Sequence, residues 1–361
     1  MGSNNNSLTP DSICVIRLSA LGDCCHALPI VKTLRENFQD TKITWIIGKT
    51  EFKLLEGIED IEFIIFDKSN LLKSLIKLST QLRHRKFDIL LHMHASMTAN
   101  LVSCFVKATR KIGFDKERAR DLQRFFCNET IAAKPRQHVM EGFFGFAEYL
   151  GIDSKQENWH LHIPEPAREF AEKIIDHDKI NCVISPCSSQ RFGQKYNRSW
   201  SVENYLSVID HLIKTYNIQV ILTGGASEIE FNYGNQISQH FKSQVKNLVN
   251  QTSLKELTAL ISKADFVICP DSGPAHIATA MKTKVIGLYA MSNPLRSGPY
   301  LSKNWVINAY PKAAKKLLNK DISELKWGYR IKESEAMNLI TPEEVIAKID
   351  LLVLQSYQNF Q

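Results

Sequence analysis

Apolar positions along the chain fall into short runs separated by amphipathic stretches, and the whole alternation occurs twice. "SICVIRLS" (12–19) is apolar and rich in β-branched residues, which predicts a strand. A Gly-containing turn follows, then a helical pattern from Pro29, because a residue without an N–H fits a first helical position. "KITWIIG", "IEFIIFD" and "FDILLHMH" read as strands, with "EFKLLEGI" and "LLKSLIKLSTQLRHR" as the helices between them. "QHVMEGFFGFAEYLGI" closes this half as a helix, and "HLHIPEPAREF", with Pro164 and Pro166, leads onward. The second series runs "NCVISP", a loop, "SVENYLSVIDHLIKTY", "IQVILTGG", a helix from near Ser227, "LVNQT", "LKELTALISKA", "FVICPDSG", "AHIATAMK" and "VIGLYA". Past about 304 the pattern loosens. "TPEEVIAKIDLLVLQSY" then ends the chain as an amphipathic helix, with Thr341 as N-cap and Pro342 first in the helix.

Strands apolar along their whole length, alternating with helices, imply parallel sheets covered on both faces. A chain of 361 residues suits two such α/β domains. Ligands in doubly wound folds bind at the carboxyl ends of the strands, so a cleft between the two domains is the expected site.

Apolar residues at 44% and charged residues at 23% are ordinary for a globular protein and exclude a low-complexity chain. No apolar run is long enough to span a bilayer, and the polar opening "MGSNNNSLTPDS" has neither the basic nor the apolar part of a signal peptide. The expectation is a cytoplasmic protein with residues 1–11 as a disordered tail. Its eight cysteines are scattered, several within strand-like runs, and are expected to act as small hydrophobes without disulfides. "DCCH" and the "HMH" of His92 and His94 lack a second pair at zinc-like spacing, so no metal site is expected. The charge of +7 is spread along the chain. It suits a phosphate-bearing substrate or an anionic membrane surface and is too diffuse for nucleic acid.

Every chemically suggestive stretch falls at a strand end. In "CPDSGPAHIATA", Asp271, Ser272 and Gly273 form the turn into a helix whose unpaired N–H groups attract phosphate, with His276 on its first turn. The plainer reading, that Asp271 or Ser272 only caps the helix, stands beside this one. "SPCSSQRFGQKYNRSW" puts Arg191, Lys195 and Arg198 in a polar loop, either a diphosphate clamp or solvated charge. "LTGGASEIE" offers Gly224, Gly225 and Glu228; the acid could receive ribose hydroxyls or simply favour a helix start. "IGKT" lacks the first glycine of a phosphate loop, and no G-x-G-x-x-G follows a strand, so a P-loop hydrolase and a nicotinamide dehydrogenase both lose support. Asp23, in "RLSALGDCCHALPIVKTL" with His26 nearby, is placed to take a proton from an attacking hydroxyl, or to serve only as a helix-start acid.

Taken together and in order, "SALGDCCHALPIVKTL", "GGASE" and "DSGPAHIATA…VIGLYA" resemble glycosyltransferase family 9, the lipopolysaccharide heptosyltransferases, from about residue 13 to about 300. The resemblance implies a GT-B fold, two Rossmann-like doubly wound domains facing across a cleft. Residues 12–163 would bind the acceptor, 164–325 the nucleotide sugar, and 326–361 would carry a helix packing back on the first domain. It implies inverting, metal-independent transfer of heptose from ADP-L-glycero-D-manno-heptose to the lipopolysaccharide inner core. No cofactor is implied.

Under this resemblance Asp23 is the general base, and Gly225, Glu228, Asp271, Ser272, Gly273 and His276 bind the donor. Phosphate contact falls to Lys195 or to Arg198, which stands where many members carry lysine before a tryptophan. Gly22, His26, His94, Arg118 and Arg120 form the acceptor side, meeting a lipid A-Kdo or heptosylated core. Members often show Asp at the strand end where His92 stands, which leaves donor and acceptor open. The enzyme would work at the inner face of the cytoplasmic membrane through transient contact, without nucleic acid. Two other readings are a non-catalytic nucleotide-sugar-binding protein, which would have no use for Asp23, and a membrane-surface protein acting through its basic residues.

Overall fold

The computed structural model describes residues 9–153, 155, 157–188 and 197–358. They form two compact units, divided after His162. The first is built on β1 (Ser12–Ile16), β2 (Lys42–Gly48), β3 (Ile61–Phe66), β4 (Phe87–His92), β5 (Ala108–Gly113) and β6 (Glu129–Thr130). The second has β7 (Asn181–Ile184), β8 (Gln219–Leu222), β9 (Val245–Asn247), β10 (Phe266–Pro270), β11 (Lys284–Tyr289) and β12 (Ile307–Asn308).

The sheet orders are β3-β2-β1-β4-β5-β6 and β12-β11-β10-β7-β8-β9. All these pairs are parallel. Each unit begins on a central strand, winds to one edge, returns and winds to the other. The strand order therefore reverses between β1 and β4 in the first unit and between β7 and β10 in the second. Chain segments leaving these strand pairs diverge, which opens a crevice at their carboxyl ends. Central strands are covered on both sides, so Ile13, Cys14, Val15 and Ile16 are all buried whichever way they point.

Local structure departs from the sequence pattern in two places. The first helix runs Leu21–Asn37, so Pro29 lies inside it. Proline cannot donate to the carbonyl four residues back, that of Cys25; the indole N–H of Trp159 donates to it at 2.8 Å. With that carbonyl satisfied, the helix starts eight residues before Pro29 and brings Asp23 onto its first turn. Secondly, β9 precedes the expected "LVNQT", which turns away through Asn250 at φ 59°.

The last helix, Pro342–Gln358, groups with the second unit. Its Val345, Ile349, Leu352 and Val353 are buried in that unit's core, and Asp350 accepts from the His211 ring and the Tyr216 hydroxyl. Within that unit the helix's apolar stripe is matched by the helix Val202–Tyr216. Thr341 Oγ1 accepts from the Glu344 N–H at 3.3 Å, the anticipated cap. None of the described helices is long and apolar enough to cross a membrane.

Candidate active site

At the first switch point, Arg17 directly follows β1. Its side chain is buried, and burying a guanidinium is costly unless every face is met. Nη1 donates to Met93 O at 2.7 Å, just past β4, and Nη2 pairs with Asp23 Oδ2. The guanidinium also stands 5.2 Å from the centre of the Phe143 ring. Asp23 Oδ2 accepts from the Ala20 N–H at 3.3 Å, at the helix N-terminus. Two donors thus fix a carboxylate that remains one-third exposed.

His94 Nδ1 accepts from the Leu18 N–H at 3.1 Å, which places the ring proton on Nε2. Burial, reinforced by the nearby Arg17, pushes this imidazole down to about 2, so it is neutral at ordinary pH. His92 is wholly buried and pulled down to about 4 by burial; Gln123 Nε2 donates to its Nδ1 at 3.1 Å and its carbonyl at 2.7 Å. Glu51, also buried, has its carboxyl raised by desolvation. It packs on Gly48, where a Cβ would collide with its side chain and with Leu18 O.

The other acceptor-side candidates separate. Gly22 is buried on the first helical turn, and His26 is 2% exposed, edge-on to His138 at 5.1 Å. Arg118 pairs with Asp115 and donates to Ala132 O at 2.8 Å, and to Gln137 and Gly142 O at 3.4 Å. These bonds make it a clamp between chain segments, a use the sequence pattern did not reveal. Arg120 is exposed.

At the second switch point, β10 leads through Asp271 and Ser272 into the helix Gly273–Ala280. Neither residue caps it: the Ser272 hydroxyl donates back to Pro270 O at 3.0 Å, and Asp271 Oδ2 accepts from the Ser292 hydroxyl at 2.8 Å. The first-turn N–H groups are therefore left without a side-chain cap. Arg198 Nη1 lies 3.7 Å from Asp271 Oδ2 and Arg330 Nη2 lies 4.0 Å from it. Two guanidinium groups around one carboxylate leave a net positive charge beside a positive helix end, which suits a diphosphate. His276 is buried on the first turn.

Nearby, the Gly225 N–H is taken by Glu230 Oε1 at 2.6 Å. Glu230 Oε2 completes a capping box with Ser227, which leaves the exposed Glu228 out of the cap. Arg191 and Lys195 lie outside the described residues. Among the described residues, no group of three or more His, Cys, Asp and Glu could hold a metal ion, and the eight cysteines are unpaired.

Residues 75–327 match the model of glycosyltransferase family 9 (heptosyltransferase). The chain belongs to glycosyltransferase family 9. It is 41% identical over 345 residues to the lipopolysaccharide core heptosyltransferase OpsX of Haemophilus influenzae, covering 96% of this chain and 98% of that protein. Among solved structures it resembles the family 9 glycosyltransferase of Veillonella parvula, with a TM-score of 0.76 at 21% identity, covering 96% of this chain and 97% of that one. The E. coli heptosyltransferase WaaC with ADP gives a TM-score of 0.72 at 19% identity, covering 94% and 99%. These likenesses and the strand orders establish the GT-B fold.

Three residues of this glycosyltransferase escaped the sequence pattern. Arg17 carried a signal, a lone charge at the end of an apolar strand, which needs a partner if buried. Glu51 opens the stretch "EFKLLEGI", where nothing in the pattern sets it apart. Arg330 falls in the loosened stretch after 304 and reaches Asp271 through an isolated bridge between Ser292 and Arg330. With Asn293, Arg296, Trp327 and Tyr329, these two line a shallow depression.

Proposed function

We propose that this glycosyltransferase moves heptose from ADP-L-glycero-D-manno-heptose onto the lipopolysaccharide inner core, with inversion at the anomeric carbon. The observation that carries the reading is the uncapped helix start after β10, flanked by Arg198 and Arg330. Such a site stabilises the charge that grows on a departing diphosphate. The OpsX relative's name supports heptose as the sugar and a lipopolysaccharide core as the acceptor.

In the step proposed, an acceptor hydroxyl attacks the anomeric carbon as its proton passes to the Asp23 carboxylate. The new glycosidic C–O bond forms as the bond to the diphosphate oxygen breaks, and ADP leaves with that electron pair. Arg17 and the Ala20 N–H hold the base in position. Neutral His94 presents an Nε2–H that can donate to an acceptor oxygen. Cations and helix N–H groups meet the charge on ADP, so no catalytic metal is invoked. The acceptor, lipid A-Kdo or an already heptosylated core, is lipid-borne and brings the enzyme to the inner membrane surface. A changed acceptor is the second reading, favoured by histidines where members often carry an acid.

ADP release from ADP-heptose with deacylated Kdo-lipid acceptor, in EDTA, compares the native enzyme with Asp23→Asn. Turnover by the native enzyme, with at least a ~100-fold loss in the variant and ADP affinity within about twofold, supports base and metal-free mechanism together. Native enzyme that binds ADP yet releases none from this donor overturns the substrate assignment.

A further inference from the structure

The connections β3 to β4 and β4 to β5 run the same way across the first sheet, so right-handed crossovers place both on one face. Their helices are Leu71–Leu82 and Met97–Cys104. Leu78 and Leu82 of the first share a core with Ala99 and Val102 of the second, which confirms the common face. What these helices turn outward is unusual for a solvated surface. Leu72 is 76% exposed and Ile76, one turn on, 68%; Leu71, Met97 and Leu101 are exposed as well. Lys73 and Lys77 stand exposed beside Leu72 and Ile76.

The charge pattern is one-sided. Between Asp67 and Asp115 the chain has nine Lys and Arg and a single acid, Asp88. That acid is spent inside β4, accepting from the Ser12 N–H at 2.9 Å and its hydroxyl at 3.1 Å. Arg85 and Arg110 are matched by Glu62 and Glu129; on the helix Leu71–Leu82 itself there is no carboxylate to match the lysines.

We propose that the outer surface of these two helices is a docking face for an anionic lipid bilayer. Exposed apolar side chains interleaved with lysines insert among acyl chains while their cations meet lipid phosphates. A second copy of this chain would bring like charge against like, and protein interfaces are depleted in lysine. The inference deepens the proposed function and rests on its reading of a lipid-borne acceptor, since it locates where the acceptor's membrane meets the enzyme.

The test is co-sedimentation of the full chain with vesicles of phosphatidylcholine alone or mixed with phosphatidylglycerol, at low and high salt. The native protein should bind only the mixed vesicles and lose binding as salt rises. Leu72→Ser with Ile76→Ser, and separately Lys73→Glu with Lys77→Glu, should each reduce partitioning by at least about tenfold. Both variants should keep native turnover on deacylated acceptor in solution. Variants that bind vesicles like the native protein overturn the proposal, as does native binding indifferent to lipid charge. Self-association through this face without vesicle binding assigns it to a second copy and overturns it equally. If vesicle binding behaves as expected while the native enzyme fails on the soluble acceptor, the substrate reading falls and the docking face stands.

Discussion

The two units share one strand order and one kind of switch point, yet they treat the helix start there in opposite ways. In the first, Asp23 on the opening turn accepts from the Ala20 N–H and pairs with Arg17, so the charges are balanced within the protein. In the second, Ser272 turns its hydroxyl away, and Arg198 and Arg330 outnumber Asp271. A balanced site can present a base to a neutral hydroxyl. A site left short of negative charge is built for an anion to complete it. Topology fixes where each site lies, and under the proposed function a few side chains decide which half of the reaction it serves.

Arg198→Ala is the largest test of this contrast. Losing charge-assisted hydrogen bonds of about 1.5–3 kcal/mol should weaken ADP binding by about 10–100-fold in a direct titration. Arg17→Met should leave ADP affinity unchanged. If the Arg17 change weakens ADP as much as the Arg198 change does, the division of labour between the two units is wrong.

The contrast was partly legible in the chain. Strands such as "SICVIRLS" and "FVICPDSG" stood out because parallel strands are apolar on both faces, and the turns after them drew attention to Asp23 and Asp271. What could not be read was pairing across sequence distance. Pro29 looked like a helix start because nothing local shows that Trp159 would satisfy the carbonyl it leaves unbonded. Whether Ser272 caps its helix is likewise settled by a hydroxyl rotamer, which leaves no trace in composition. Arg118 looked like an acceptor contact, and its ties to Asp115, Ala132 and Gly142 appear only once the loops are folded.

The first unit's balance has a pH signature. Burial holds His92 down to about 4, from 6.5. Below pH 6.5 the unfolded chain takes up a proton that the folded one refuses, so stability present above that pH is lost as pH falls toward 4. The loss from His92 should reach about 2–3 kcal/mol near pH 4, read as a steepening fall in denaturation midpoint. His92→Gln should flatten that slope. If, as proposed, the second unit holds ADP, ADP should raise the midpoint at each pH and leave the contribution of His92 to the slope unchanged. A slope identical in the variant would mean that this imidazole is not kept neutral by the fold.

The smallest effect concerns how Asp23 reaches a helix start at all. Trp159→Phe keeps a ring in place and removes the donor to Cys25 O, which leaves that carbonyl unpaired beside Pro29 inside the helix. The expected cost is about 1–2 kcal/mol in denaturant unfolding, with ADP affinity unaffected. Turnover is the informative readout. If it falls while stability changes little, Trp159 holds the opening turn in the register that aims Asp23, and the indole is a positioning group for the base. If stability falls and the remaining folded enzyme turns over normally, Arg17 and the Ala20 N–H suffice to fix the carboxylate, and the helix behind them needs only to be present.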